Sequence, residues 1–276
     1  MQQGLQGHKA RKRFGQNFLH DVHWIGRIAK AVAPRLGDNI IEIGPGQAAL
    51  TRELIAGAGH VRAVEIDRDL AAWLKEQFSP EQLTLIEADA LTLDWKALAE
   101  QTGTLRIVGN LPYNISSPLL FALMRAADHV RDQHFMLQRE VVDRMVAAPG
   151  SKTYGRLSVM LQWRYHMTKL FDVPPGAFNP PPKVVSSVVR MTPKDPAQVP
   201  AVDADLFSSV VANAFSQRRK TLRNALSVLM SAEDIEAADV NPQARAETLD
   251  LDAFVRLARK AAELGVKPVI PGSVAD

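Results

Sequence analysis

Three features of this sequence hold residue types that could do chemistry together. The first is Glu42-Ile-Gly-Pro-Gly46, two glycines one residue apart directly after an apolar run. Glycine lets the chain turn tightly and its backbone approach a ligand, here ahead of a helical pattern whose N-terminus would face the same ligand. As a dinucleotide-binding fingerprint the run is incomplete, because Ala48 and Ala49 stand where a third glycine would be. The second feature is a pair of acids at strand ends. Glu65 lies 21 residues after Gly44, where a carboxylate can accept from both ribose hydroxyls, and Asp89 ends the next apolar run, placed to meet an adenine edge. The third is Asn110-Leu-Pro-Tyr113. The Asn110 carboxamide oxygen can accept a hydrogen bond from an exocyclic amine, and the carbonyls of Leu111 and Pro112 can take its other hydrogen. Tyr113 offers a flat face on which an extruded base can stack.

For these residues to meet, the elements between them must alternate, and the hydrophobic pattern predicts that they do. Apolar residues at Val22, Ile25, Ala29 and Val32 predict a helix ending at Pro34 and Gly37. Strands are predicted over 39–43, 61–66, 83–87, 105–109 and 134–137, with helices over 50–56, 70–78 and 140–147 between or after them. A further helix is predicted from Pro118 to about Ala127, with Ser116 or Ser117 as its N-cap. Strands alternating with helices imply a mostly parallel sheet covered on both faces. Runs at 165–173 and 184–191 are expected to close it with an antiparallel hairpin. The proline-rich stretch 193–200 reads as a linker. Beyond it only helical periodicity follows, over 206–215, 220–230 and 253–264. The expected architecture is an α/β Rossmann-like domain over 1–196 and a small all-helical domain over 197–276.

Composition removes other classes. The 276 residues carry 33 basic and 30 acidic side chains and no cysteine. Disulfide scaffolds, thiolate metal sites and thiol nucleophiles are therefore excluded, including the covalent route to pyrimidine C5 methylation. No apolar run approaches the ~18–20 residues of a membrane span, and no secretory-type apolar block stands near residue 1, so a cytoplasmic setting is expected. The net charge of +3 hides a segregation. Residues 61–100 are acid-rich, whereas Lys9, Arg11, Lys12 and Arg13, and separately Arg218, Arg219, Lys220 and Arg223, lie in acid-free stretches. Such stretches suit an RNA or DNA backbone and equally suit plain solvated faces. Arg219 and Arg223, four residues apart, are predicted to share a helix face while Leu222 and Leu226 pack inward.

Taken together, the motifs resemble the class I S-adenosylmethionine-dependent methyltransferases that act on adenine N6. Within them the chain resembles the small-subunit (16S) ribosomal RNA adenine N6,N6-dimethyltransferases. Nine segments carry the likeness in order: Arg13-Phe-Gly-Gln-Asn-Phe-Leu19, Glu42-Ile-Gly-Pro-Gly46, Val64-Glu-Ile-Asp67, Ala88-Asp-Ala90, Gly109-Asn-Leu-Pro-Tyr113, Gln138-Arg-Glu-Val141, Tyr154-Gly-Arg-Leu-Ser158, Phe178-Asn-Pro-Pro-Pro-Lys183 and Phe215-Ser-Gln-Arg-Arg-Lys220. The resemblance implies that Gln16, Asn17 and Leu19 close over the cofactor. It gives Gly44 and Gly46 the methionine end, Glu65 the ribose and Asp89 the adenine, with Ile66 and Ala90 also among the cofactor-binding residues. Asn110 would take the target amine at the cofactor's reactive end, and Tyr113 and Phe178 would sandwich the base. Gln47-Ala48 departs from the further glycine expected in many relatives.

The implied reaction is dimethylation of two adjacent adenosines in a loop near the 3′ end of small-subunit ribosomal RNA. It would yield S-adenosylhomocysteine, need no metal, and be performed by a monomer on a precursor small-subunit particle. The macrolide-resistance type of large-subunit methyltransferase is the near alternative, and a DNA adenine methyltransferase a more distant one. A ribosome-assembly factor valued mainly for binding is the alternative from another class. His20 and His23 have a spacing that could mimic a metal pair, but the other histidines are scattered. The basic run before Phe14 also matches a transit peptide in charge, yet it leads straight into the segment expected to cap the cofactor.

Overall fold

The computed structural model describes residues 16–217 and 219–269, which form two compact units. Lys9, Arg11, Lys12, Arg13 and Arg218 lie outside the described residues. The first unit holds the described chain up to Val142 together with His166–Pro193. Its elements are β1 (Phe18–Leu19), α1 (Val22–Val32), β2 (Ile40–Ile43), α2 (Ala49–Ala58), β3 (Val61–Glu65), α3 (Arg68–Gln77), β4 (Leu83–Glu87), α4 (Trp95–Thr102), β5 (Leu105–Asn110), α5 (Ser116–Met124), β6 (Val130–Gln138), α6 (Arg139–Met145), which runs into the second unit, then β7 (Tyr165–Val173), β8 (Phe178–Asn179) and β9 (Ser186–Pro193).

Seven strands form one sheet in the order β4-β3-β2-β5-β6-β9-β7, and β1 pairs with β8 in a separate two-stranded ribbon. β4, β3, β2, β5 and β6 run parallel, and β9 returns antiparallel to β6, as the alternating pattern predicts. The order reverses between β2 and β5, since the chain leaves β2 toward β3 on one side and re-enters at β5 on the other. Ligand crevices open at the carboxyl ends of strands at such a reversal. Those ends are the Gly44 loop after β2 and Asn110 at the end of β5.

At the opposite end of the same strands, buried Arg106 of β5 is gripped by Asp38 (2.6 Å) and Asp132 of β6 (2.9 Å) and donates to the Val32 carbonyl (2.6 Å). A buried guanidinium held by two carboxylates and a helix-end carbonyl fixes α1, β5 and β6 to one another. Strand spacing at the crevice is set by Gly109, which pairs with Ile43. A Cβ there would lie 2.8 Å from the Ile43 carbonyl oxygen and 3.0 Å from the Leu111 side chain.

The second unit comprises 143–165 and the chain from Lys194 onward. It contains α7 (Arg156–Arg164), α8 (Ala204–Ala214), α9 (Leu222–Ala225), α10 (Ala232–Ala237) and α11 (Leu251–Glu263). Asp203, Ser231 and Asp250 cap α8, α10 and α11 through their side chains. Segment 143–165 was expected in the catalytic domain but belongs here. Its Trp163 ring lies 4.9 Å from that of Phe207, and its Tyr154 ring 6.1 Å from that of Phe215. Aromatic packing between segments far apart in sequence thus overrides the single boundary expected near residue 196.

Gly109→Ala is expected to lower stability by about 1–3 kcal/mol, because backbone on one side and a buried leucine on the other leave no room for the methyl. A fall of several degrees in the thermal midpoint would check this, and an unchanged midpoint would mean that the two strands yield freely.

Candidate active site

The reversal opens into a cavity of about 350 Å³, within the range of small-molecule sites. Its walls include Gln16, Asn17, Leu19, Gly44, Gly46, Glu65, Ile66, Asp89, Ala90, Asn110, Leu111, Pro112 and Tyr113. Gly44, Gly46, Glu65, Asp89 and the Asn110–Tyr113 turn are the residues that strand ends single out in the sequence, the others following from the family resemblance, and the fold brings them together.

The glycine loop turns with positive φ at Gly44 (67°), Gly46 (55°) and Ala48 (60°). Ala48 therefore occupies a left-handed conformation that costs a residue with a Cβ roughly 1–2 kcal/mol, while its buried methyl returns about 0.8 kcal/mol through packing. The departure from glycine thus has a small net cost, about 0.2–1.2 kcal/mol. Gly46 faces the Phe18 ring, which a Cβ there would meet at 3.0 Å.

Glu65 ends β3 and is buried, and its carboxylate accepts from the Asp67 N–H at 2.9 Å. Burial pushes its carboxyl above the ordinary range, against the pull of backbone N–H groups of Asp67 and Gly46. Asp89 lies two residues past β4 rather than on its last residue, and accepts from the Leu91 N–H at 2.9 Å. Gln16 donates to Asp67 (3.1 Å), and the Asn110 amide nitrogen donates to the Asn17 carbonyl (3.0 Å). The 16–19 segment therefore touches both the acid side and the Asn110 side of the cavity. Tyr113 is half-buried, and its hydroxyl lies 2.8 Å from Ser186 Oγ.

Four expectations are corrected. Phe178 does not line the cavity. It is 2% exposed, sits on β8 opposite Leu19 and packs in the core, so its ring face is covered and cannot stack on a base as it stands. The Pro112 carbonyl is already taken by the Ile115 N–H (3.2 Å) and the Ser116 hydroxyl (3.0 Å), which leaves it no lone pair for a substrate amine. Nor does Ser116 cap α5, because it is the first residue of the helix and the N-cap is Ile115. Finally, only 222–225 of the stretch predicted as a helix over 220–230 is helical, so Arg219 lies before the helix and shares no face with Arg223. Leu222 and Leu226 are buried as predicted, and Arg219, Lys220 and Arg223 are exposed.

Sequence reasoning missed part of the wall. Glu42 of β2 is 3% exposed, accepts from Thr51 Oγ1 at 2.6 Å, and is pushed up to about 7 by burial, with Glu65 adding to the rise against the Thr51 bond. His134 of β6 also lines the cavity, and burial pulls it down to about 4, so it is neutral at physiological pH. Both lie within apolar strand runs, where nothing in the pattern separates a site residue from the core. Among the described residues no three His, Asp or Glu side chains cluster as metal ligands, and no helix is long and apolar enough to cross a membrane.

A parallel sheet with an antiparallel return strand, opening at the reversal into a glycine- and acid-lined cleft, defines the Rossmann-like class I methyltransferase fold. A dimethyladenosine transferase from Plasmodium falciparum superposes with a TM-score of 0.76 at 25% identity, covering 91% of this chain and all of that one. The 23S rRNA methyltransferase ErmE gives 0.66 at 27% identity, covering 89% of this chain and all of its own. By sequence, "Ribosomal RNA small subunit methyltransferase A" of Bordetella petrii is 58% identical over 96% of this chain and 100% of its own length. The protein of that name from Pseudomonas aeruginosa is 53% identical over 94% of this chain and 97% of its own. The model of the family described as "Ribosomal RNA adenine dimethylase" matches residues 7–263. The chain belongs to that family and is an rRNA adenine dimethyltransferase.

The raised carboxyl of Glu42 has a measurable effect on stability. Its folded value near 7 lies above the ordinary 4.5, so the stabilisation from keeping it protonated is complete below pH 4.5 and is lost as the pH rises through 7. Glu42→Gln, neutral throughout, is expected to raise unfolding stability by on the order of 2–3 kcal/mol at about pH 8 and by little at about pH 5. Urea unfolding at both values checks this; an equal gain at both would mean that the carboxyl ionises as an exposed one does.

Proposed function

We propose that this chain transfers methyl groups from S-adenosylmethionine to the N6 amines of two adjacent adenosines in a loop near the 3′ end of small-subunit ribosomal RNA. The observation that carries the reading is that the glycine loop, Glu65, Asp89 and the Asn110–Tyr113 turn line one cavity. Relatives at 53–58% identity that carry a small-subunit name support that target over the large-subunit one. The donor set fits the cofactor: Glu65 and Asp89 are acceptors for ribose hydroxyls and an adenine amine, and carboxylates suit a ligand bearing positive charge. When bound, the cofactor supplies a methyl group on a sulfonium, which departs as the neutral thioether.

The residues of this chain then have to position the nucleophile. Adenine N6 is weakly nucleophilic because its lone pair is delocalised into the ring, so in-line placement and relief of that delocalisation dominate. With its nitrogen committed to the Asn17 carbonyl, Asn110 offers its oxygen to one N6 hydrogen, and the Leu111 carbonyl takes the other in this reading. Both acceptors hold the positive charge that develops on N6 during transfer. The methylated ammonium is strongly acidic and releases its proton to water, so neither a side-chain base nor a metal is required. Tyr113 carries the stacked base. Phe178 joins it only if β8 gives way.

The substrate in this reading is the RNA within a precursor small-subunit particle, met in the cytoplasm by a monomer, and the activity belongs to small-subunit maturation. Arg219, Lys220 and Arg223 supply phosphate contacts, joined by Arg218, Lys9, Arg11, Lys12 and Arg13.

Incubation with labelled cofactor and separate small- and large-subunit particles tests the target, and label on the large subunit alone would overturn it. Glu65→Ala is expected to weaken cofactor binding at least about tenfold by calorimetry. Asn110→Ala should lower turnover by ~10²-fold with cofactor affinity little changed. The reverse pattern would exchange the two roles.

Arg219, Lys220 and Arg223 changed together to Ala should weaken particle binding and flatten its salt dependence, by up to about one unit of slope per lost phosphate contact. Normal binding across a salt titration would remove these residues from the interface.

A further inference from the structure

We infer that Ser186 is a positioning residue for methyl transfer: its hydroxyl holds the Tyr113 ring in place as the platform for the target base. This rests on the reading that Tyr113 receives that base. Stacking needs only the face of the ring, so the phenolic hydroxyl is free for another task. That hydroxyl lies 2.8 Å from Ser186 Oγ, 73 residues away in sequence.

The two partners differ in how firmly the fold holds them. Tyr113 follows β5 in the turn that leads to α5, where no strand ladder fixes it. Ser186 is fully buried, opens β9 and pairs with Gln138 of β6. Its neighbour Ser187, also fully buried, donates to Asp172 of β7 at 2.5 Å, and Asp172 is ion-paired with Lys169 at 3.0 Å. The start of β9 is thus tied to the strands on both of its sides. A bond from this rigid point to the far end of the tyrosine ring restrains its first side-chain torsion, because the hydroxyl is the ring atom which that torsion displaces most. A buried serine also needs a partner, and the Tyr113 hydroxyl meets that need. No comparable tether reaches the base platform from Phe178, whose ring is in the core.

The test is a double-mutant cycle in the full chain, with methylation of small-subunit particles as the readout. Ser186→Ala and Tyr113→Phe remove the same bond, so each is expected to lower kcat by about three- to tenfold, with cofactor affinity unchanged. The double variant is expected to be no slower than either single one. Ser186→Cys, close in size and a weaker hydrogen-bonding partner, should fall between serine and alanine, and it serves in the cycle if the alanine variant does not fold. Wild-type kcat in Ser186→Ala would overturn the inference. So would a loss that multiplies with that of Tyr113→Phe, since it would act independently of the hydroxyl. Tyr113→Ala separates the two readings. If it stays active, the stacking role itself is wrong; if it is inactive while Ser186→Ala is fully active, only the role of Ser186 falls.

Discussion

The cleft depends on how closely β2 and β5 approach before their chains part. Ile43 and Gly109 are paired neighbours, and the space between them admits no Cβ. One residue later β2 turns into the glycine loop, while β5 runs on to Asn110 and turns at Pro112. Since the chain leaves on opposite sides, no connection covers these two ends. At the far end of β5 the Arg106 cluster holds that strand to β6 and to Asp38, two residues before β2, so the divergence is anchored where the strands begin. The glycine loop and the Asn110 turn are thereby held side by side.

The electrostatics of the cleft then narrow what it can hold. Glu42, Glu65 and Asp89 share one cavity, and two of the three are buried enough to resist ionisation. Among the described residues that line the cavity none is Lys or Arg, so a pyrophosphate would meet no cationic partner there. A ligand with hydroxyls, an amine and a cationic centre meets acceptors throughout. The incomplete glycine fingerprint and the lack of a cationic side chain in that lining therefore agree in disfavouring a dinucleotide.

The alternation of strands and helices was legible because buried parallel strands are short apolar runs between turn signals, as at 40–43 and 61–65. Gly44, Glu65 and Asn110 were legible because they sit at or just past strand ends, where position follows from topology, whereas Gln16, Asn17 and Leu19 rested on the family resemblance alone. What escaped the reading lacked such a signature. Helix α4 buries only Trp95 and Ala99 and so shows no stripe, while α7 is buried on nearly every side and shows no period. In 220–230 the apolar spacing correctly placed Leu222 and Leu226 inside. It could not reveal that the helix stops after one turn, where Ser227 instead bonds the Asn224 carbonyl. Glu42 and His134 looked like core strand positions, and the stacking role of Phe178 rested on the family resemblance, with no sign in its own motif of the β1 pairing that buries it.

That pairing also orders events in time. Phe18 is opposite Asn179 and Leu19 opposite Phe178, so the ribbon closes a loop of roughly 160 residues. Closing it has a large entropic cost that few local contacts offset, which places it late in folding. On a chain made from its N-terminus, Phe18 and Leu19 must wait for nearly two-thirds of the protein before their partners exist. A nascent chain can thus build β2, β3 and β4 with their acids in place and still lack the roof of its pocket.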